Sequence, residues 1–299
     1  MLAQLLRLLL LTQALTGLVI GGLIVYFTEA PTWLMPLTAL LMPVLVQLSV
    51  AISTAFKSRT SRADGPWWRS LVFEGLAMLR VFVLQMPWAK PPSLQRGPAA
   101  LPQRLPVLLV HGYVCNHRVW DAMALQLRQA GHPVLAIDLE PLFTSIDDYA
   151  ELVEQAVVAI CRQTGSPQVA LIGHSMGGLA IRAWLRAYGS QRVARVLTLG
   201  TPHVGTQIHT PFPSPNGKQM AWQSDWLQAL AASESPATRA LMRIALTPQD
   251  NIVFPQTEQV LPGVPVTVFV GLGHVEMVLH PAVMHWVLQQ LEETAREAS

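Results

Sequence analysis

The sequence predicts an α/β domain, with a mostly parallel sheet covered by helices on both faces, carried behind an amino-terminal segment apolar enough to enter a membrane. Three observations predict it. Of 299 residues, 51% are hydrophobic and only 13% are charged, where a soluble chain is usually about 25% charged. The charge deficit is concentrated near the amino terminus. From Leu105 onward, short apolar runs alternate with amphipathic helical patterns.

The global numbers exclude several function classes. A formal net charge of +2, from 20 Lys and Arg against 18 Asp and Glu, is too small and too dispersed for a nucleic-acid footprint. Two cysteines, Cys115 and Cys161, cannot build a disulfide scaffold, and neither sits in a CxxC pair or beside a histidine at metal-ligand spacing. They read as small reduced hydrophobes.

No Asp, Glu, Lys, Arg or His occurs over residues 8–28, about the ~20 residues a helix needs to cross ~30 Å of hydrocarbon. A second uncharged run covers residues 30–56 and contains Pro36 and Pro43, which membrane helices tolerate and which can kink them. The first run is too long for a signal-peptide core, and Pro31 follows its only small-residue exit. The loop between the runs carries no Lys or Arg, whereas Lys57, Arg59, Arg62 and Arg69 follow the second. The positive-inside rule then places both ends in the cytoplasm, with a short external hairpin. The stretch around residues 67–88 mixes Trp, Leu and Val with Arg69, Glu74 and Arg80, a pattern for a helix at the membrane interface or packed under the next domain. Residues 89–106 are rich in proline and polar side chains and read as a linker.

The runs PVLLV, PVLAID, VALIG, VARVLTLG, IAL and VTVFVG are the expected strands. Helical patterns are expected over about 118–130, 146–163, 177–188 and 281–296. Continuous apolar strands between amphipathic helices indicate a buried parallel sheet. From 203 to about 236 this alternation lapses into an irregular cap holding Met220, Trp222, Trp226, Leu227 and Leu230, which can form an apolar lid or simply pack.

The segment Gly173-His174-Ser175-Met176-Gly177 follows a strand and opens a helix. In that context G-x-S-x-G is a nucleophile elbow: glycines allow the tight turn, and Ser175 is thrust out on a strained backbone. The amides of the following helix aim at the same point and favour an anion there.

With LLVHGYVCN (108–116), IGHSMGG (172–178), LGTPHVGT (199–206), PQDNIVFP (248–255) and GLGHVEMVLHP (271–281), the chain resembles the α/β-hydrolase superfamily and, within it, the bacterial lipase and esterase group. The resemblance covers about residues 105–291 and leaves the apolar helices to hydropathy alone. It implies an α/β-hydrolase fold, and hydropathy places transmembrane helices before it. The expected organisation is two membrane helices over 1–56, an interfacial helix and linker over 57–104, and a catalytic domain over 105–299 with its cap at 203–236.

A serine hydroxyl needs a base, and the base needs an orienting group. His274 follows the last strand and occupies the family's GxGH position. Asp250 follows a short strand and falls between Ser175 and His274, in the superfamily's Ser, acid, His order. Among rival residues, His280 reads as structural, His111 and His174 as shaping their loops, and His203 as bracing the pocket. Asp138 and Asp225 are the weaker rivals for the acid. The oxyanion hole is expected from the backbone N–H groups of Met176 and Tyr113.

The expected activity is hydrolysis of carboxylic esters, lipidic ones foremost, by a membrane-anchored serine enzyme through an acyl-enzyme. No metal and no organic cofactor is expected. The expected partners are an ester or lipid substrate and the bilayer, with the protein in the cell inner membrane as a multi-pass chain and its catalytic domain in the cytoplasm. Acyl transfer to an alcohol or thiol would use the same triad, and a non-catalytic membrane scaffold would keep the same fold.

Overall fold

The computed structural model describes residues 1–59, 64–208 and 213–297. Arg62, one of the charges in the orientation argument, and residues 209–212 of the expected cap lie outside them.

Two long helices lead the chain: α1 (Leu2–Thr28) and α2 (Leu34–Ser58). At 1.5 Å per residue they are about 40 and 37 Å long. Helix α3 (Gly65–Met78) continues through a π-helical stretch, Leu79–Gln85, and a 3₁₀ turn to Trp88. Among the described residues, three segments are long and apolar enough to cross a membrane: α1, α2 and residues 65–88. The third differs in its surroundings. Trp67, Ser70, Glu74, Ala77 and Met78 are buried, and its Arg69 and Glu74 bond to a loop of the following domain. That face is protein-covered, which favours packing under the domain over lying free at an interface.

α1 and α2 pack at Gly17 and Gly21. A Cβ on Gly17 would sit 2.8 Å from Ala39 Cα, and one on Gly21 would sit 2.7 Å from Met35 Cα. Two glycines four residues apart thus let two helix backbones meet, as small residues do in membrane helix pairs. Pro43 lies inside α2, while Pro36 falls in its first turn, where a missing N–H costs no helix bond.

The remaining chain builds one six-stranded, wholly parallel sheet of order β2-β1-β3-β4-β5-β6. The strands are β1 (Val107–Val110), β2 (Val134–Ile137), β3 (Val169–His174), β4 (Val193–Leu199), β5 (Met242–Leu246) and β6 (Val266–Val268). Alternating side chains feed two cores. Val107 and Leu109 join Leu127, Val287 and the ends of the amino-terminal helices, including Leu2, Leu6 and Ala51. Leu108 and Val110 face Val157, Leu179 and Trp184 on the other side.

The helices of this domain are α4 (Asp121–Gln129), α5 (Tyr149–Thr164), α6 (Met176–Tyr188), the short α7 (Pro215–Gln219), α8 (Asp225–Ala232) and α9 (Pro236–Ala240), and α10 (Pro281–Glu297). The α4 and α5 patterns begin a turn late because 3₁₀ turns at His117–Trp120 and Ile146–Asp148 precede them. The expected VTVFVG strand keeps only Val266–Val268 as ladder. The presumed linker is pinned rather than free: Gln95 exchanges two 2.8 Å backbone bonds with Val134 and covers the outer edge of β2.

Candidate active site

β3 ends at His174, α6 starts at Met176, and Ser175 makes the turn between them with φ 55 and ψ −130. That is a left-handed conformation an L-residue adopts at a cost of order 1–3 kcal/mol. Neighbouring glycines make the turn possible. A Cβ on Gly173 would lie 2.6 Å from Gly178 Cα, and one on Gly177 would lie 2.5 Å from His111 O. The Ser175 N–H donates to Leu199 O at 2.9 Å, tying the turn to the end of β4. Gly112 approaches from the loop after β1: its Cβ would stand 2.7 Å from Ser175 Cβ and 3.2 Å from Oγ.

The turn opens a helix, so the Met176 N–H has no carbonyl one turn behind it. Neither that N–H nor the N–H of Tyr113 makes a hydrogen bond among the described residues. Both donors are free for an incoming oxygen.

Asp250 follows β5 and is held by its backbone. Its Oδ1 accepts from the N–H groups of Ile252 at 2.9 Å and Val253 at 2.7 Å. Its Oδ2 is 2.8 Å from His274 Nδ1. Gly200, at φ 54, ends β4 beneath the pair, and a Cβ there would lie 3.2 Å from both partner atoms. Burial works against a charge on His274, but the charge and hydrogen bond of Asp250, together with the charge of Glu74, outweigh it and raise its pKa. The imidazole is therefore built to accept a proton.

The structure brings Asp250 and His274 together and sets them beside the turn that carries Ser175. His174 Nε2 donates to His274 O at 3.0 Å, and the two rings are 4.6 Å apart. Ser175 Oγ itself is not hydrogen-bonded to His274, and His274 Nε2 makes no hydrogen bond among the described residues. Catalytic hydrogen bonds in ligand-free sites are often long and tighten with substrate.

The rival residues have other occupations. His111 is buried between Gly112 O, 2.8 Å from its Nδ1, and the Leu139 N–H, which donates to its Nε2 at 2.9 Å. These bonds fix its tautomer and tie the Gly112 loop to the end of β2. Its pKa and that of His174 are lowered by burial. His203 lies between Thr198 Oγ1 and buried Arg182, which also pairs with Glu234 at 2.5 Å. It braces the root of the cap. His280 contacts Arg69 at 3.2 Å. Asp138 is paired with His117 at 2.9 Å, and Asp225 is an exposed residue in the first turn of α8. Cys115 is buried, which pushes its thiol up to about 12 and makes it inert.

One charged residue escaped sequence reasoning. Glu74, on α3, is 2% exposed. Its Oε1 accepts from Val275 N–H at 3.0 Å and its Oε2 from Glu276 N–H at 2.9 Å. Burial pushes its carboxyl up to about 7. A carboxylate inside an apolar helix was the available signal, but nothing in the sequence assigned it a partner two hundred residues away.

The site is closed. Ser175 is 7% exposed, and the cavity between Tyr113, Leu142, Phe143 and Met176 is only about 10 Å³, room for about one water. A cavity of about 840 Å³ lies between Lys57 and the cap residues Ile208, Trp222 and Phe254, and none of Ser175, Asp250 and His274 lines it.

A parallel sheet with a serine elbow at the strand ends and an acid–histidine pair beside it defines an α/β-hydrolase domain. Residues 106–243 match the model of the α/β hydrolase fold family. Triacylglycerol lipases of Pseudarthrobacter phenanthrenivorans and Burkholderia plantarii are each 36% identical to this chain over 114 residues. That is 35% of this chain, and 35% and 31% of theirs. The mature form of a Bacillus licheniformis lipase superposes with a TM-score of 0.58 at 17% identity, covering 68% of this chain and 99% of that one. Together these show the α/β-hydrolase fold for the domain and a local similarity to bacterial triacylglycerol lipases over 114 residues. The chain spans about a third of the length of the curated relatives it matches.

Proposed function

We propose that this protein is a membrane-anchored carboxylic ester hydrolase acting on lipidic esters, with Ser175, His274 and Asp250 as its triad. The observation that carries the proposal is the buried Asp250–His274 pair at 2.8 Å beside a serine held at φ 55. Asp250 is fixed by two backbone amides and keeps the His274 proton on Nδ1, which leaves Nε2 as the base. Nε2 takes the proton of Ser175 Oγ as that oxygen attacks the ester carbonyl. The carbonyl oxygen gains charge between the N–H groups of Met176 and Tyr113, each such donor being worth roughly 3 kcal/mol in the transition state. His274 then protonates the leaving alcohol, and water, deprotonated by the same nitrogen, clears the acyl-enzyme.

The membrane part of the proposal rests on α1 and α2. Their mean hydropathies are 2.2 and 2.0 over windows that are 11% and 6% buried, so most of their apolar side chains have no protein cover. Crossing as a hairpin, with Lys57 and Arg59 beyond α2, they place both helix ends and the hydrolase domain in the cytoplasm. A triacylglycerol or similar ester dissolved in that bilayer is concentrated where the enzyme sits.

The test is to label the full chain, purified in detergent, with a fluorophosphonate probe and to assay aryl esters of increasing acyl length. Covalent labelling lost in Ser175→Ala, with a preference for longer acyl chains, supports the proposal. Undiminished hydrolysis by Ser175→Ala sinks the mechanism, and preference for acetyl esters sinks the lipidic substrate. A reporter fused after Ser299 tests orientation, and an external signal refutes the cytoplasmic placement.

A further inference from the structure

The loop that carries His274 is held chiefly by groups from outside the family-matched region. Four successive backbone N–H groups, those of residues 273, 274, 275 and 276, donate to side chains. Gly273 donates to Glu276 Oε2 at 3.1 Å, His274 to Asn251 Oδ1 at 3.1 Å, and Val275 and Glu276 to the two oxygens of Glu74. Asn251 in turn accepts its own support from α2, donating through Nδ2 to Thr54 Oγ1 at 2.8 Å. Arg69, on the same helix as Glu74, donates to Gly271 O at 2.6 Å and pairs with Glu276 at 2.9 Å. Gly273 makes room for this: a Cβ there would lie 2.5 Å from Glu74 Cβ and 2.8 Å from its Cδ. A bidentate carboxylate on two consecutive amides fixes the loop's rotation as well as its position.

From this geometry we infer that Glu74 of the juxtamembrane helix α3 is a positioning residue for the reaction, clamping the backbone just after His274 through both of its oxygens. The inference rests on the triad reading above. It makes α3 part of the catalytic machinery. His274 is faced by Asp250 from the loop after β5, by Glu74 from α3 and by His174 from the end of β3. Glu74 accepts from the backbone of Glu276, whose side chain pairs with Arg69, and it also feels the charges of His274 and Asp250.

The test uses the full chain in detergent micelles, with p-nitrophenyl butyrate as substrate. Glu74→Gln keeps the shape but turns an N–H group toward one of the two amides and removes the charge. Its kcat should fall about 10- to 100-fold, the scale of an ångström-level misplacement, with KM within about twofold of wild type. Where the Glu74 carboxyl is ionised, above about pH 7, its loss leaves the imidazolium with one anion fewer, so the acid limb of the kcat/KM profile should move to lower pH. Glu74→Asp keeps the charge but is one methylene too short to span both amides, so its kcat should fall while its acid limb stays near that of wild type. A purely structural role would lower the melting temperature and leave the limb of the folded enzyme unmoved. Folded Glu74→Gln with wild-type kcat and an unmoved limb overturns the inference. Should Glu74→Gln not accumulate folded, Glu74→Asp decides, and wild-type kcat there overturns it equally. A Ser175→Ala control separates the two levels: retained activity in that variant sinks the triad and this inference together, whereas its loss beside an unaffected Glu74→Gln sinks this inference alone.

Discussion

The most informative single substitution is Asp250→Asn, because the surrounding hydrogen bonds dictate which way the new amide must face. Both N–H groups on Oδ1, from Ile252 and Val253, require an oxygen there. The amide nitrogen must then take the Oδ2 place, 2.8 Å from His274 Nδ1. It arrives as a donor, so Nδ1 becomes an acceptor and the ring proton moves to Nε2. The nitrogen that should take the serine proton is then already occupied. A triad with the wrong tautomer loses about 10⁴ in kcat, equivalent to about 5.4 kcal/mol of transition-state stabilisation. Because the shape is conserved, the fold should survive. Stopped-assay hydrolysis of a p-nitrophenyl ester and the rate of fluorophosphonate labelling should both fall by that order, with circular dichroism unchanged. A folded Asp250→Asn protein within about tenfold of wild type would refute the assignment of Asp250.

Further predictions concern pH, the elbow and the anchor. In the proposed mechanism His274 acts as the neutral base, and its partners raise its pKa. kcat/KM should therefore fall as pH drops through a value above that of an ordinary histidine, and a pH–rate profile with its acid limb below the ordinary value contradicts this. Gly177→Ala places a methyl against the backbone carbonyls of Val110 and His111. It should cost about 3 kcal/mol in denaturant unfolding and disturb the elbow, since backbone atoms cannot step aside as a side chain can. Gly21→Leu should lower the melting temperature in detergent because α2 backbone occupies its space. Gly22→Ala meets only Met35 Cε at 3.5 Å and should leave that temperature unchanged.

Legibility in the sequence followed the range of the physics. The strand-to-helix break at Ser175 is local: the glycines that permit it are neighbours in the chain, and the clash each avoids follows from backbone geometry. The strands read well because a buried parallel strand is apolar over most of its length, as Val107–Val110 and residues 169–172 are. The VTVFVG run read too long because β6 is an edge strand: Val268 is 51% and Val270 61% exposed, so apolar character there does not report ladder pairing. Asp250 and His274 needed the resemblance, since no periodicity relates two residues on loops after different strands. Glu74 was out of reach altogether. Its environment is made by residues 273–276, and only the folded chain brings α3 to them.

The contacts of α1 and α2 with the hydrolase domain bear on how substrate arrives. The backbone N–H of Leu2 donates to Glu140 Oε1 at 2.9 Å, just beyond the carboxyl end of β2. At the other end of the hairpin, Thr54 meets Asn251 and the Ser58 carbonyl accepts from Gln256 at 3.0 Å, just beyond the carboxyl end of β5. Ser175 and His274 lie at that same end of the sheet. If α1 and α2 cross a bilayer, the catalytic edge therefore faces the membrane surface and the opposite edge faces water. The small cavity beside the elbow sharpens the consequence, because about 10 Å³ admits no acyl chain as it stands, and Leu142 and Phe143 are among the apolar side chains that line it. Phe143 is partly exposed, stands at φ 67 and meets Tyr113 edge-on at 5.6 Å. An apolar side chain covering a mouth that points at lipid loses little by moving into lipid, whereas moving into water would cost about 25 cal/mol for each Å² uncovered. The same opening is thus easier at the membrane than in solution, which favours an ester already dissolved in the bilayer over one that must come from water.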